Sequence, residues 1–221
     1  ISTTYKYIQL GLSIYNYWSE YEKNNCINND YFDQLLINIK NCGPVMIKLT
    51  QWTTTLLEIV MCKDIDYTDK NNKKPSWLLK LEELYENCPQ HDIEYTIKTY
   101  NKVTKLDIHK FYKIIDIISS GSMGQVYMLE DKINKDQVAM KILHPEIDNH
   151  LVYFEYLWVL LSNIFKHKKI MKYVNQIDID HFIYEFKLQS NFCNEGNNIL
   201  KFQDIYKNNK YIIIPKPIYI S

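Results

Sequence analysis

Apolar residues recur every third or fourth position over Tyr31–Ile39 and again over Val45–Cys62, and this spacing predicts two helices. Gly43-Pro44 punctuates the start of the second, a residue free to turn the chain followed by one preset for a first helical turn. Asn71–Pro75 reads as a loop, and helical spacing resumes in Trp77–Tyr85 and near Ile93–Val103. Beyond residue 104 the period drops to two. Ile114–Ile118, Gln125–Leu129 and Gln137–Leu143 are short β-branched or alternating runs that predict strands, with Asp131–Asp136 as a polar hairpin turn. Leu151–Phe165 is apolar almost all round and predicts a packed helix, Lys166–Lys172 its solvated end, and one long helix is expected over roughly 177–202. Tyr211–Ile214 reads as a strand stopped by Pro215 and Pro217. The pattern predicts an α+β chain: a helical extension over 1–104, then an antiparallel β-lobe with a long helical insertion over 105–221.

Composition narrows the class. The 221 residues are 46% hydrophobic, enough for one sizeable domain or for a small lobe with a helical extension. Lys+Arg and Asp+Glu are 26 each, so no global field draws the chain to nucleic acid or to anionic lipid. Every basic residue is lysine, so any phosphate contact must use ammonium, backbone N–H or hydroxyl groups rather than a bidentate guanidinium. The five cysteines (Cys26, Cys42, Cys62, Cys88, Cys193) have no regular spacing, which favours reduced thiols in an intracellular protein. The six histidines are dispersed, and neither residue type predicts a metal site or metal cluster. No apolar run reaches the ~18 residues needed to span a bilayer. Because the chain begins at Ile1 and stops at Ser221 just after an apolar run, both ends are expected to be cut.

The chemistry concentrates between Ile114 and His144. Ser119-x-Gly121-x-x-Gly124-x-Val126 followed by Val138-Ala139-Met140-Lys141 has the protein-kinase arrangement, with serine in place of the first glycine. Small residues let backbone N–H groups approach phosphates, and a lysine on the neighbouring strand supplies the cation those phosphates need. Taken singly the elements are bland: Gly121 and Gly124 would serve an ordinary turn by adopting positive φ, and Lys141 would be a solvated lysine. Together they predict a nucleotide-phosphate site.

Three further stretches carry a resemblance. Gly43-Pro44-Val45-Met46-Ile47-Lys48-Leu49-Thr50-Gln51-Trp52 resembles the G-P-x-F-I-K-x-G-Q-W signature of the UbiB family, the aarF-domain atypical kinase-like ATPases. Ser119-Ser120-Gly121-Ser122-Met123-Gly124-Gln125-Val126-Tyr127 is similar to that family's A-x-x-S-I-G-Q-V-h loop, and Phe192–Phe202 is similar to its D-x-x-x-E-A-x-N-x-x-x-F helix. The resemblance implies a protein-kinase-like N-lobe preceded by the extension, with the C-lobe absent from this chain. It implies that Glu195 pairs with Lys141, and that these two are the catalytic residues of the N-lobe. It also implies that residues 119–126 and Ala139 cover the nucleotide, and that Lys48 and Gln51 lie near its phosphates.

Departures accompany the match. Thr50 stands where the family has glycine, and the family's Glu-x-Asp motif falls on Gln189-Ser190-Asn191, which puts an amide in place of each carboxylate. An amide neutralises no charge and ligates a metal poorly. The family's His-x-Asp catalytic loop and Asp-x-Gly metal ligand are not in the chain. The resemblance thus implies ATP or ADP as ligand, Mg²⁺ only in the company of a C-lobe, and a setting of ubiquinone or isoprenoid-lipid metabolism. Mitochondrial or membrane association, and a lipid or quinone precursor as partner, follow from the resemblance alone. The alternative is a non-catalytic, pseudokinase-like nucleotide-binding or interaction module, motivated by Gln189, Asn191 and Thr50.

Overall fold

A computed structural model describes residues 3–24, 29–61, 74–85, 88–165 and 178–221. In chain order these form α1 (Thr3–Asn24), α2 (Asn29–Asn41), α3 (Pro44–Met61), α4 (Ser76–Glu82) with a 3-10 turn (Glu83–Tyr85), α5 (Ile93–Thr104) and α6 (Ile108–Phe111). They continue as β1 (Tyr112–Ser120), β2 (Gly124–Asp131), β3 (Gln137–Leu143), α7 (Ile147–Phe165), α8 (Ile179–Ser190) and α9 (Phe192–Tyr206). The sheet is antiparallel in the order β1-β2-β3, so the α+β expectation and the kinase-like N-lobe with its preceding helices are both met. The expectation for Lys166–Lys172 lies outside the described residues, as does most of the Asn71–Pro75 loop.

Three clusters of buried side chains hold the described elements together. In the first, Leu10 of α1 and Phe32, Leu36 and Ile39 of α2 meet Ile47 of α3 and Leu81 of α4. The chain turns from α2 into α3 at Gly43, whose φ of 90° is forbidden territory for most side chains. In the second, Val45 of α3 joins Met123 of the β1–β2 turn, Leu151 and Phe154 of α7, and Phe182 and Phe186 of α8. The extension is therefore fastened directly to the turn and to the insertion. The third cluster lies under one face of the sheet, where Tyr127 and Leu129 pack on Ile108, Ile97 and Tyr100 from α5 and α6.

Strand pairing fixes what the other face shows. Val126 sits opposite Lys141 and Met128 opposite Ala139, so these four project away from the α5–α6 side. β1 carries register shifts at Ile114/Asp116 and Ile117/Ser119, which bend it as it approaches the turn.

Three sequence expectations need correction. The single helix over 177–202 is two: Asn191 is extended at φ −91°, ψ 91°, and its side chain accepts from the Cys193 N–H to cap α9. Tyr211–Ile214 is not a strand. The tail lies against α9, held by Gln203 Nε2 donating to the Pro215 carbonyl and by Ile220 lying over Gly196. Nor do Gly121 and Gly124 adopt positive φ, since Gly43 is the one glycine that does so among the described residues.

Candidate functional site

Lys141 is delivered by β3 onto the open sheet face, and α9 brings two side chains to meet it. Glu195, at the first turn of α9, places Oε2 2.6 Å from Lys141 Nζ. The ring of Phe192, one residue past the cap, lies 4.4 Å from the same ammonium. The Asn191 cap is what aims both: it starts α9 so that residues 192 and 195 share one helix face. Phe192 also explains Gly124. A Cβ there would lie 2.9 Å from the Phe192 ring and 2.6 Å from the Ile142 carbonyl oxygen, so glycine is required by close approach rather than by φ. The ion pair remains 38% and 50% exposed on its two sides, which leaves the ammonium accessible to a ligand.

Lys48 comes to this region from α3. Burial is the first cause of its lowered pKa, and the neighbouring Lys141 ammonium pushes in the same direction. Two turns of sequence logic thus converge: lysines 93 positions apart share one electrostatic environment. Gln51, one turn further along α3, is buried and bridges rather than faces ligand. Its Nε2 donates to the Leu84 carbonyl at 2.7 Å, and its Oε1 accepts from Ser122 Oγ at 3.2 Å. Thr50, in the glycine position of the resemblance, folds its hydroxyl back to donate to the Met46 carbonyl.

The turn residues divide. Ser119 and Gly121 border an open cleft of about 840 Å³ with Ile117, Ile118 and Gln90. Ser120 is turned inward, with Oγ donating to the Pro89 carbonyl, and Ser122 to Gln51. Met123 is in the core. Gln125 is fully buried, with Oε1 accepting from the His91 N–H and Nε2 donating to the Tyr127 hydroxyl. Val126 and Ala139 share the face of Lys141. Gln189 is exposed near the end of α8, and Asn191 is occupied as a cap.

Sequence reasoning missed a polar chain behind the turn. His144 Nε2 lies 2.9 Å from the Gly121 carbonyl, His144 Nδ1 lies 2.8 Å from His91 Nδ1, and His91 Nε2 lies 2.7 Å from Thr96 Oγ1. Burial holds His91 down to about 4 and lowers His144, so both rings are neutral near pH 7. Their tautomers then follow. His144 Nε2 must donate to the Gly121 carbonyl, which leaves its Nδ1 to accept from His91 Nδ1, and the His91 Nε2 meets the Thr96 hydroxyl. The Thr96 and Tyr127 hydroxyls are hydrogen-bonded in turn, at 2.7 Å. The chain fixes both ends of the turn, at Gly121 and at Gln125, to the segment leading into α5. The histidines are 53 residues apart, so no local spacing signals them.

Residues 83–220 match the ABC1 atypical kinase-like domain, well over half of the chain. The chain belongs to the ABC1 atypical kinase-like family. Two relatives are each 25% identical: the Dictyostelium discoideum protein named probable serine/threonine-protein kinase abkC, over 86% of this chain and 26% of its own length, and the Saccharomyces cerevisiae ABC1 family protein YPL109C, mitochondrial, over 79% and 27%. The chain spans about a quarter of the length of these ABC1 relatives. Membership agrees with the UbiB resemblance.

Magnesium can be tested against the donor set. Glu195 is the one carboxylate paired with Lys141 and is committed to that pair; Gln189 and Asn191 are amides. Among the described residues no group of three His, Cys, Asp or Glu is placed to hold a metal. The side chains this ABC1 chain brings to its lysines do not fit a divalent cation.

Proposed function

We propose that the chain forms the phosphate-binding lobe of a nucleotide site, with ATP or ADP as ligand. The observation that carries this reading is the Lys141–Glu195 pair, 2.6 Å apart on the open sheet face beside a turn whose backbone is locked in place. Glu195 orients the ammonium, and Lys141 neutralises phosphate charge. The test is thermal denaturation with and without ATP. ATP should raise the melting temperature of the wild type and leave Lys141→Met unmoved; a shift of equal size in both would end the reading.

The reading extends to the whole protein as an atypical kinase or ATPase acting in ubiquinone or isoprenoid-lipid metabolism. The UbiB resemblance supports that setting, and the word "mitochondrial" in the yeast relative's name supports the compartment. No helix among the described residues is long and apolar enough to cross a membrane. The second reading, a non-catalytic nucleotide-binding module, is favoured by the amides at Gln189 and Asn191. ATP turnover by the full-length protein that Lys141→Met abolishes would exclude it.

A further inference from the structure

A cavity of about 220 Å³ lies behind the β1–β2 turn, walled by the α2–α3 corner at Lys40, Gly43 and Pro44, by the segment around His91, and by His144 and His150. No aspartate or glutamate lines it, whereas one lysine and three histidines do. Most of that polarity is already engaged. Both ring nitrogens of His91 and of His144 belong to the chain described above, and the Gly121 carbonyl and Ser122 hydroxyl are held by His144 and Gln51. Two groups are left over. Lys40 is half-buried and makes no ion pair among the described residues. His150 lies with its ring flat on Gly43, three ring atoms 3.0, 3.2 and 3.3 Å from where a Cβ would be, and its buried Nδ1 has no hydrogen-bond partner among the described residues.

Each group alone has a plain explanation. A lysine in the last turn of α2 offsets the negative end of that helix, and one ordered water would satisfy His150. Neither explanation covers the two together, beside a cavity with several times the space of one water and with the positive end of α3 at its wall. We propose that this cavity binds a small oxyanion, a phosphate or a carboxylate, held by the Lys40 ammonium and by His150 Nδ1–H. A neutral imidazole donates there once its proton sits on Nδ1, and the ammonium supplies the stronger, charge-assisted bond. The volume lies below the ~300 Å³ at which pockets for drug-sized molecules begin, so the ligand is small. Gly121 is common to this cavity and the open cleft, but Lys141 and Glu195 are not among its walls, so the site stands apart from the nucleotide reading.

The experiment is an amide chemical-shift titration of the 221-residue chain at fixed pH and ionic strength, with inorganic phosphate in one arm, acetate in a second and chloride as the baseline. Saturable shifts are expected at Gly43, Gly121, Ser122 and His150, with half-saturation on the order of 1 mM. Saturation by phosphate, by acetate or by both supports the proposal and tells which oxyanion the site takes. Lys40→Gln is expected to weaken binding about tenfold, and Lys40→Arg to keep part of it. The wild-type titration stands whether or not either variant folds. Shifts that rise linearly, as with chloride, overturn the proposal, and so does a Lys40→Gln variant that binds as tightly as the wild type. Saturating ATP should leave the phosphate midpoint within about threefold. Full competition by ATP would make the cavity part of the nucleotide site and overturn it as a separate one.

Discussion

The two sides of the β1–β2 turn solve opposite problems. Behind it, Gln125, Tyr127, Thr96, His91 and His144 form a buried, directional set of hydrogen bonds in which each group has a partner and neither histidine is charged. In front, Lys141 and Glu195 form an ion pair that stands half in solvent. A satisfied buried network fixes backbone and tolerates little change, whereas an exposed ion pair contributes little to stability and stays available to a ligand. In the proposed reading, rigidity behind the turn is what lets the front serve as a site, because the turn does not first have to be ordered.

This contrast can be broken from either side. The largest effect is expected at the seam. Gly124→Ala drives a Cβ into the Ile142 carbonyl and the Phe192 ring, and should destabilise the chain by about 2–3 kcal/mol in chemical denaturation. Because Phe192 also lies against Lys141, this variant should lose nucleotide binding as well. Tyr127→Phe is a smaller change on paper, yet it strips Thr96 and Gln125 of a buried partner and should cost about 2 kcal/mol.

Acid offers a milder probe of the same network. The His91 ring, ordinarily at 6.5, is held at about 4 in the fold. As pH falls below 6.5 the unfolded chain takes up a proton that the folded chain refuses until about 4, so stability must fall over that interval and stay level above it. The loss should be about 1–2 kcal/mol for a partly exposed ring, seen as a drop in denaturation midpoint that is smaller in His91→Gln, where the buried His144 and His150 still contribute. The smallest stability effect belongs to the front. Glu195→Gln removes only an exposed pair and should change stability by less than about 1 kcal/mol, while weakening ATP binding because Lys141 loses its orienting partner. Should Glu195→Gln destabilise as much as Tyr127→Phe, the distinction between scaffold and site would collapse.

How much of this was written in the residues varies with distance along the chain. The strands, the hairpin turn and helix α3 follow local period and breakers, and Lys141, Glu195 and Lys48 come from short motifs in a fixed order. The split of the 177–202 helix was hidden because Ser190-Asn191 is compatible with a helix interior; only the extended backbone at Asn191 shows its amide acting as a cap. Tyr211–Ile214 has the composition of a strand, but its backbone groups meet no strand partner among the described residues, so it forms none. The histidine chain was illegible for a different reason. His91 and His144 reach each other through α5 and β3, and no rule based on spacing joins residues so far apart.

The most direct measurement is an amide chemical-shift map of the chain on addition of ATP. The account predicts the largest perturbations at Ser119–Gly121, Val126, Ala139, Lys141 and Glu195, with little change at His91, Thr96 and Tyr127. Perturbation confined to the residues around His91 and His144, or none anywhere, would contradict it.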